Sequence, residues 1–87
     1  MIHVVQNDCF MDEIGYWGEN AGEDSSGIVD RPEDCQAKCY SEPECSVWSY
    51  QKSEQLCSLK KFGNDSRNDA AYISGPKACE GGWYILS

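Results

Sequence analysis

The segment that decides the fold is Asp30-Arg31-Pro32-Glu33-Asp34-Cys35-Gln36-Ala37-Lys38-Cys39-Tyr40, followed after Pro43 by Cys45-Ser46-Val47-Trp48-Ser49-Tyr50. The first part reads as a helix. Asp30 stands where an N-cap carboxylate belongs, Pro32 falls in the first turn where its missing N–H costs nothing, and Glu33 follows the aspartate at the capping-box interval. The helix should run through Tyr40 and stop by Pro43, because proline disfavours helical geometry in the residue before it. Cys35 and Cys39 are four apart and share one face, so that face points inward. The second part reads as a strand in which Ser46, Trp48 and Tyr50 share a side. Trp48 and Tyr50 are therefore expected as core beneath the helix.

Working outward, Leu56-Cys57-Ser58-Leu59-Lys60 is a second β-type run, divided from the first by the polar stretch Gln51 to Gln55. The two read as a hairpin, with Cys57 and Leu59 on one side. Residues 63–69 are polar throughout and read as a loop. Ala71-Tyr72-Ile73 reads as a third short strand, closed by the turn pair Gly75-Pro76. Upstream, Gly15, Gly18, Gly22 and Gly27 among acids and serines suggest turns around at most a brief strand. Ile2-His3-Val4-Val5 and Trp83-Tyr84-Ile85-Leu86 read as short strands near the termini. No internal repeat or low-complexity tract divides the chain.

The chain has 87 residues, of which six are cysteines, and is only 40% hydrophobic. So small a core struggles to offset the entropy of ordering the chain, and cross-links are the obvious supplement. Disulfides persist in oxidising compartments, which points to a secreted or extracellular protein. Spacing alone leaves the pairing open. It argues only against Cys35 with Cys39, whose side chains project in parallel from one helix. No apolar run is long enough to cross a bilayer, and no signal peptide opens the sequence. The chain thus reads as one domain, residues 1–87 with a core at 9–79, cut from a longer multi-domain secreted protein, with Met1 as the start of the expressed piece.

The net charge of −8 disfavours nucleic acid and anionic membranes as partners. Residues 1–44 hold 11 acidic side chains against Arg31 and Lys38, a balance of −9, whereas residues 45–87 balance at +1. Lys60, Lys61, Arg67, Tyr72 and Lys77 come from strands and loops of that second half and form the candidate ligand-binding surface, since an aromatic ring beside basic groups is a common means of binding sugars or proteins. Trp17, Trp83 and Tyr84 are further aromatics without an assigned place. Catalysis finds no support: His3 is the sole histidine, and an even number of cysteines leaves no free thiol for a nucleophile. The cysteine spacings do not fit a zinc site, and residues 64–69 lack the glycine and final glutamate of an EF-hand loop. No cofactor or metal is expected. Asn64-Asp65-Ser66 matches the N-glycosylation sequon.

These residues together resemble the PAN/Apple module: a helix with Cys35 and Cys39, a cysteine before the aromatic run Cys45 to Tyr50, then Cys57-Ser58-Leu59-Lys60, then Ile73-Ser74-Gly75-Pro76-Lys77 and Cys79. The Cys-x-Leu-Lys and Ile-Ser-Gly-Pro-Lys segments look most like the tandem Apple repeats of apicomplexan micronemal adhesins. The resemblance covers Cys9 to Cys79 and departs from the family pattern between Cys9 and Cys35. It implies an α+β fold, with a curved antiparallel sheet of about five strands crossed by one helix. It also implies the disulfides Cys9–Cys79, Cys35–Cys57 and Cys39–Cys45. By the same resemblance the domain is an adhesion or recognition module that is not an enzyme. It would bind a protein or a host-surface glycan, sit beside neighbouring Apple modules, and be held in a secretory organelle before release. The alternatives are a structural spacer or assembly domain, and a non-catalytic regulatory module of a secreted serine protease.

Overall fold

A strand buried on both faces lies at the centre of the molecule. In Val47–Gln51 the three middle residues, Trp48, Ser49 and Tyr50, are all buried. Successive side chains of a strand point to opposite faces, so both faces of this strand must be covered. The computed structural model, which describes residues 2–4, 9–22, 25–79 and 84–86, shows by what. The elements are β1 (Ile2–Val4), β2 (Met11–Tyr16), β3 (Ser26–Ile28), α1 (Pro32–Ser41), β4 (Val47–Gln51), β5 (Leu56–Lys60), β6 (Ser66–Pro76) and β7 (Tyr84–Leu86). Five strands form an antiparallel sheet in the order β2-β6-β4-β5-β3, while β1 and β7 pair as a separate two-stranded ribbon. Val5 and Trp83, also expected in the outer strands, lie outside the described residues.

On one face of the sheet α1 packs against β4, β5 and β6. Trp48, Leu59 and the cysteines Cys35, Cys39 and Cys57 are at most 1% exposed there, with Tyr50 and Ala21 beside them. Trp48 fixes the register of this layer. Its indole N–H donates to the Pro76 carbonyl at 2.9 Å, and Phe10 meets its ring edge-on at 4.8 Å. The indole lies so flat on Gly75 that a Cβ added there would sit 2.7 Å from the ring, so only glycine fits under it. β6 therefore continues through Gly75 and Pro76 where the sequence suggested a turn. Pro76 is tolerated because it ends the strand and contributes its carbonyl, not an N–H.

The helix itself has little apolar surface to bury: only Cys35, Gln36 and Cys39 are buried among its ten residues. Sulfur does what a hydrophobic stripe would otherwise do. Cys35–Cys57 joins α1 to β5, Cys39–Cys45 joins its last turn to the approach to β4, and Cys9–Cys79 closes the core. The helix starts later than the sequence suggested. Arg31, not Asp30, is the N-cap, with extended geometry and no side-chain cap bond, and Pro32 opens the first turn. The Asp30 carbonyl is drawn instead toward the core, where the Tyr50 hydroxyl lies 3.0 Å from it and 3.1 Å from the Val29 carbonyl. The capping-box reading fails because that buried hydroxyl fixes the chain before the helix begins.

On the other face of the sheet β2 folds back over the strands. Met11 and Asp12 pair with Ser74 and Ile73 in the sheet, the pairing breaks at Glu13 (φ 63°), and Ile14 to Tyr16 then pair with Asn68 to Ser66. Beyond the break, β2 lies against the buried hydroxyls of Ser49 and Ser74. The loop expected over residues 63–69 is therefore half strand. Ser66, Arg67 and Asn68 are polar and exposed, yet β2 supplies their backbone pairing, and tertiary pairing overrides local preference.

The three disulfides close loops of 22, 6 and 70 residues. By chain-entropy arithmetic these are worth about 3.5, 2 and 4.5 kcal/mol, as much together as the net stability of a typical small domain. Reduction without denaturant is expected to abolish the near-UV circular dichroism of the buried Trp48. A cooperative thermal transition surviving in reductant would contradict this.

Candidate functional site

The two hydroxyls under β2 form a relay. Each serine has one proton to give. Ser74 Oγ donates to the Ile14 carbonyl, so Ser49 Oγ donates to Ser74 at 3.0 Å and accepts from the Tyr16 N–H. Ser49 and Ser74 are 1% and 0% exposed, and these bonds meet the requirement that buried polar groups be paired. Their effect is to fix the backbone immediately before Trp17.

Trp17 then turns back over its own strand. Its ring lies so close to Gly15 that an added Cβ would come within 2.6 Å of it. Tyr72 of β6 packs beside it at 5.3 Å between ring centroids with a 59° tilt, and the Arg67 guanidinium lies over it at 4.8 Å. Asp65 completes the group. Its carboxylate accepts from Arg67 Nε at 3.4 Å and from a terminal nitrogen at 3.3 Å, a two-point contact longer than the tightest arginine–carboxylate forks. Its backbone carbonyl accepts from the Trp17 N–H at 2.9 Å. Trp17 and Tyr72 are half-buried, whereas Arg67 is exposed. The result is an aromatic platform with the Arg67 guanidinium over it and the Asp65 carboxylate paired to that guanidinium.

The five residues singled out from the sequence are distributed unevenly around this platform. Arg67 and Tyr72 meet across Trp17. Lys60, at the end of β5, reaches the next residue along: Nζ donates to the Gly18 carbonyl at 3.5 Å and to Asn20 Oδ1 at 2.7 Å. Burial pushes its ammonium below the ordinary lysine range. Lys61 is held by Glu19 at 3.1 Å and Glu44 at 3.2 Å; hydrogen bonds first to Glu19, then to Glu44, raise its pKa. Lys77 belongs elsewhere, donating to the Glu42 carbonyl at the C-terminal end of α1 at 2.8 Å, where a cation suits the helix dipole. The members absent from the sequence expectation are Trp17, an aromatic without an assigned place there, and Asp65. The signal for Asp65 is the spacing: Asp65 and Arg67 are two apart, so an extended backbone puts both on one side.

The PAN domain family matches residues 16–60, just over half of the chain, and the protein belongs to that family. Micronemal protein 4 of Toxoplasma gondii is 30% identical over 73 residues, which are 79% of this chain and 12% of that protein. The chain thus spans about an eighth of that relative's length. Among solved structures, the two N-terminal apple domains of Toxoplasma gondii microneme protein 4 superpose with a TM-score of 0.71 at 25% identity, covering 83% of this chain and 46% of that one. The module TgMIC4-A5, solved in complex with lacto-N-biose, gives a TM-score of 0.72 at 24% identity over 82% of this chain and 99% of that one. The five-stranded sheet, single helix and three disulfides match the apple/PAN fold. No helix among the described residues is long and apolar enough to cross a membrane.

Two measurements check the site's construction. Ser49→Ala leaves the half-buried Tyr16 N–H without its partner and is expected to cost about 1–3 kcal/mol in urea unfolding; an unchanged midpoint would contradict the relay. Lys60 has a depressed pKa in the fold, so stability rises as pH climbs through its titration below 10.5. Lys61 has a raised one, so its contribution is present below 10.5 and fades above it. Side-chain NMR titration should therefore find Lys60 losing its proton before Lys61, and the reverse order would refute these environments.

Proposed function

We propose that this chain is a carbohydrate-binding adhesion module of a secreted, microneme-type protein, and that its ligand sits on Trp17, Tyr72, Asp65 and Arg67. The observation that carries the reading is the cluster: two half-buried aromatic rings that offer apolar surface to a sugar, beside an arginine–carboxylate pair that offers donors and acceptors to its hydroxyls. Its family membership and the lacto-N-biose complex of TgMIC4-A5 support a sugar as the ligand class. On this reading the chain binds and does not catalyse. It acts beside further apple modules in a longer protein, stored in a secretory organelle and released to attach to host cells. The likeness to micronemal protein 4, of which this chain spans a small part, supports that setting.

Single modules of this kind are expected to bind weakly and to depend on multivalency. The domain displayed as a streptavidin tetramer should bind a subset of a glycan array. Trp17→Ala should reduce that binding roughly tenfold or more, as loss of an aromatic hot spot does. Lys77→Ala, at the far end of α1, should leave it intact. Binding unaffected by Trp17→Ala would move the site elsewhere. A tetramer that binds no glycan would favour the spacer role instead.

A further inference from the structure

The candidate surface looked basic in the sequence, but the fold compensates nearly all of its cations. Lys61 is shared between two glutamates, and Lys77 is spent on a helix carbonyl. Lys60 is bound to a carbonyl and an amide oxygen, and burial weakens its hold on a proton. Arg67, the one cation lying on the platform, faces Asp65 through two hydrogen bonds. The site is thus close to neutral within a domain of charge −8. An anionic ligand approaching Arg67 would meet a carboxylate tethered two residues away, which offsets the guanidinium charge, and the field of the whole domain.

We propose that Asp65 sets the ligand class of this site: it turns Arg67 from an anion receptor into half of a donor–acceptor pair, so that the module takes neutral glycans and turns away sulfated, sialylated and uronic-acid-bearing ones. The inference rests on the carbohydrate reading given above. The chemistry is specific. A guanidinium engaged by a carboxylate along one edge still has N–H donors on another, and the carboxylate keeps lone pairs facing outward. Two adjacent sugar hydroxyls, each both donor and acceptor, satisfy both partners without a charge of their own. Trp17 lies against the guanidinium at 4.8 Å, a cation–π contact that steadies it beside Asp65.

The test is an array carrying neutral, sialylated and sulfated glycans, probed with tetramers of the wild type, Asp65→Asn and Glu33→Gln. Glu33 lies on α1, across the sheet from the platform, and its substitution makes the same change in net charge. Asparagine keeps the backbone carbonyl that accepts from Trp17, and a heteronuclear NMR spectrum confirms that the variant is folded. The wild type should bind neutral glycans only. Asp65→Asn should shift the ratio of acidic to neutral binding by roughly fivefold, the scale of releasing one exposed ion pair, while Glu33→Gln leaves the ratio unchanged. Wild-type binding to acidic glycans, or equal shifts in both variants, would overturn the inference while leaving the carbohydrate reading standing. A wild type that binds no glycan would sink the carbohydrate reading, and this inference with it.

Discussion

Two buried hydroxyls hold this domain in its working shape. Ser49 and Ser74 face away from the helix, where a strand of an ordinary two-layer domain would meet solvent, and they take hold of the backbone of β2 at Tyr16 and Ile14. Because β2 is fixed there, β4 is covered on both faces and Trp17 is delivered onto Gly15 beside Tyr72 and Arg67. A valine at either serine position would suit strand propensity better and would leave the Tyr16 N–H or the Ile14 carbonyl without its partner. The pair is small, polar and central, and the platform exists because of it.

The other face is held by different means. α1 carries too few apolar residues to dock by hydrophobic burial, and two of its three buried side chains are disulfide-bonded cysteines. Trp48 and Leu59 are the largest fully buried side chains of the core. A domain of 87 residues with this composition is stable because cross-links limit its unfolded ensemble, which frees its surface to carry charge and exposed aromatics. That division of labour suits a recognition module, since substitutions on the platform do not touch the cysteine-bound face.

Much of the fold was legible because it is local. Trp48 and Tyr50 alternate with Ser49, Cys57 alternates with Leu59, and the helix announces itself through Pro32 and the Cys35–Cys39 interval. The disulfide pairing was not legible from spacing and came from family resemblance alone. What the sequence hid depends on distant partners. Ser66 to Asn68 look like loop, and only pairing with β2 makes them strand; Gly75-Pro76 look like a turn, and only the Trp48 indole above them explains a continuing strand. The helix cap was misread by one residue because Tyr50, twenty positions away, claims the Asp30 carbonyl. Among the site residues, Arg67 and Tyr72 were visible as a basic and an aromatic group on one half of the chain. Their meeting across Trp17, and the neutralising Asp65, follow from the fold-back of β2, which leaves no periodic trace.

Whether ligand is held on the Trp17 platform at the fold-back of β2 is decided by titrating the 15N-labelled domain with a panel of neutral disaccharides headed by lacto-N-biose. The account predicts shifts of the Trp17 indole N–H and of the Asp65, Arg67 and Tyr72 amides, with α1 and Lys77 undisturbed. Shifts confined to α1 and the Lys77 end, or a spectrum unmoved by every member of the panel, would contradict it.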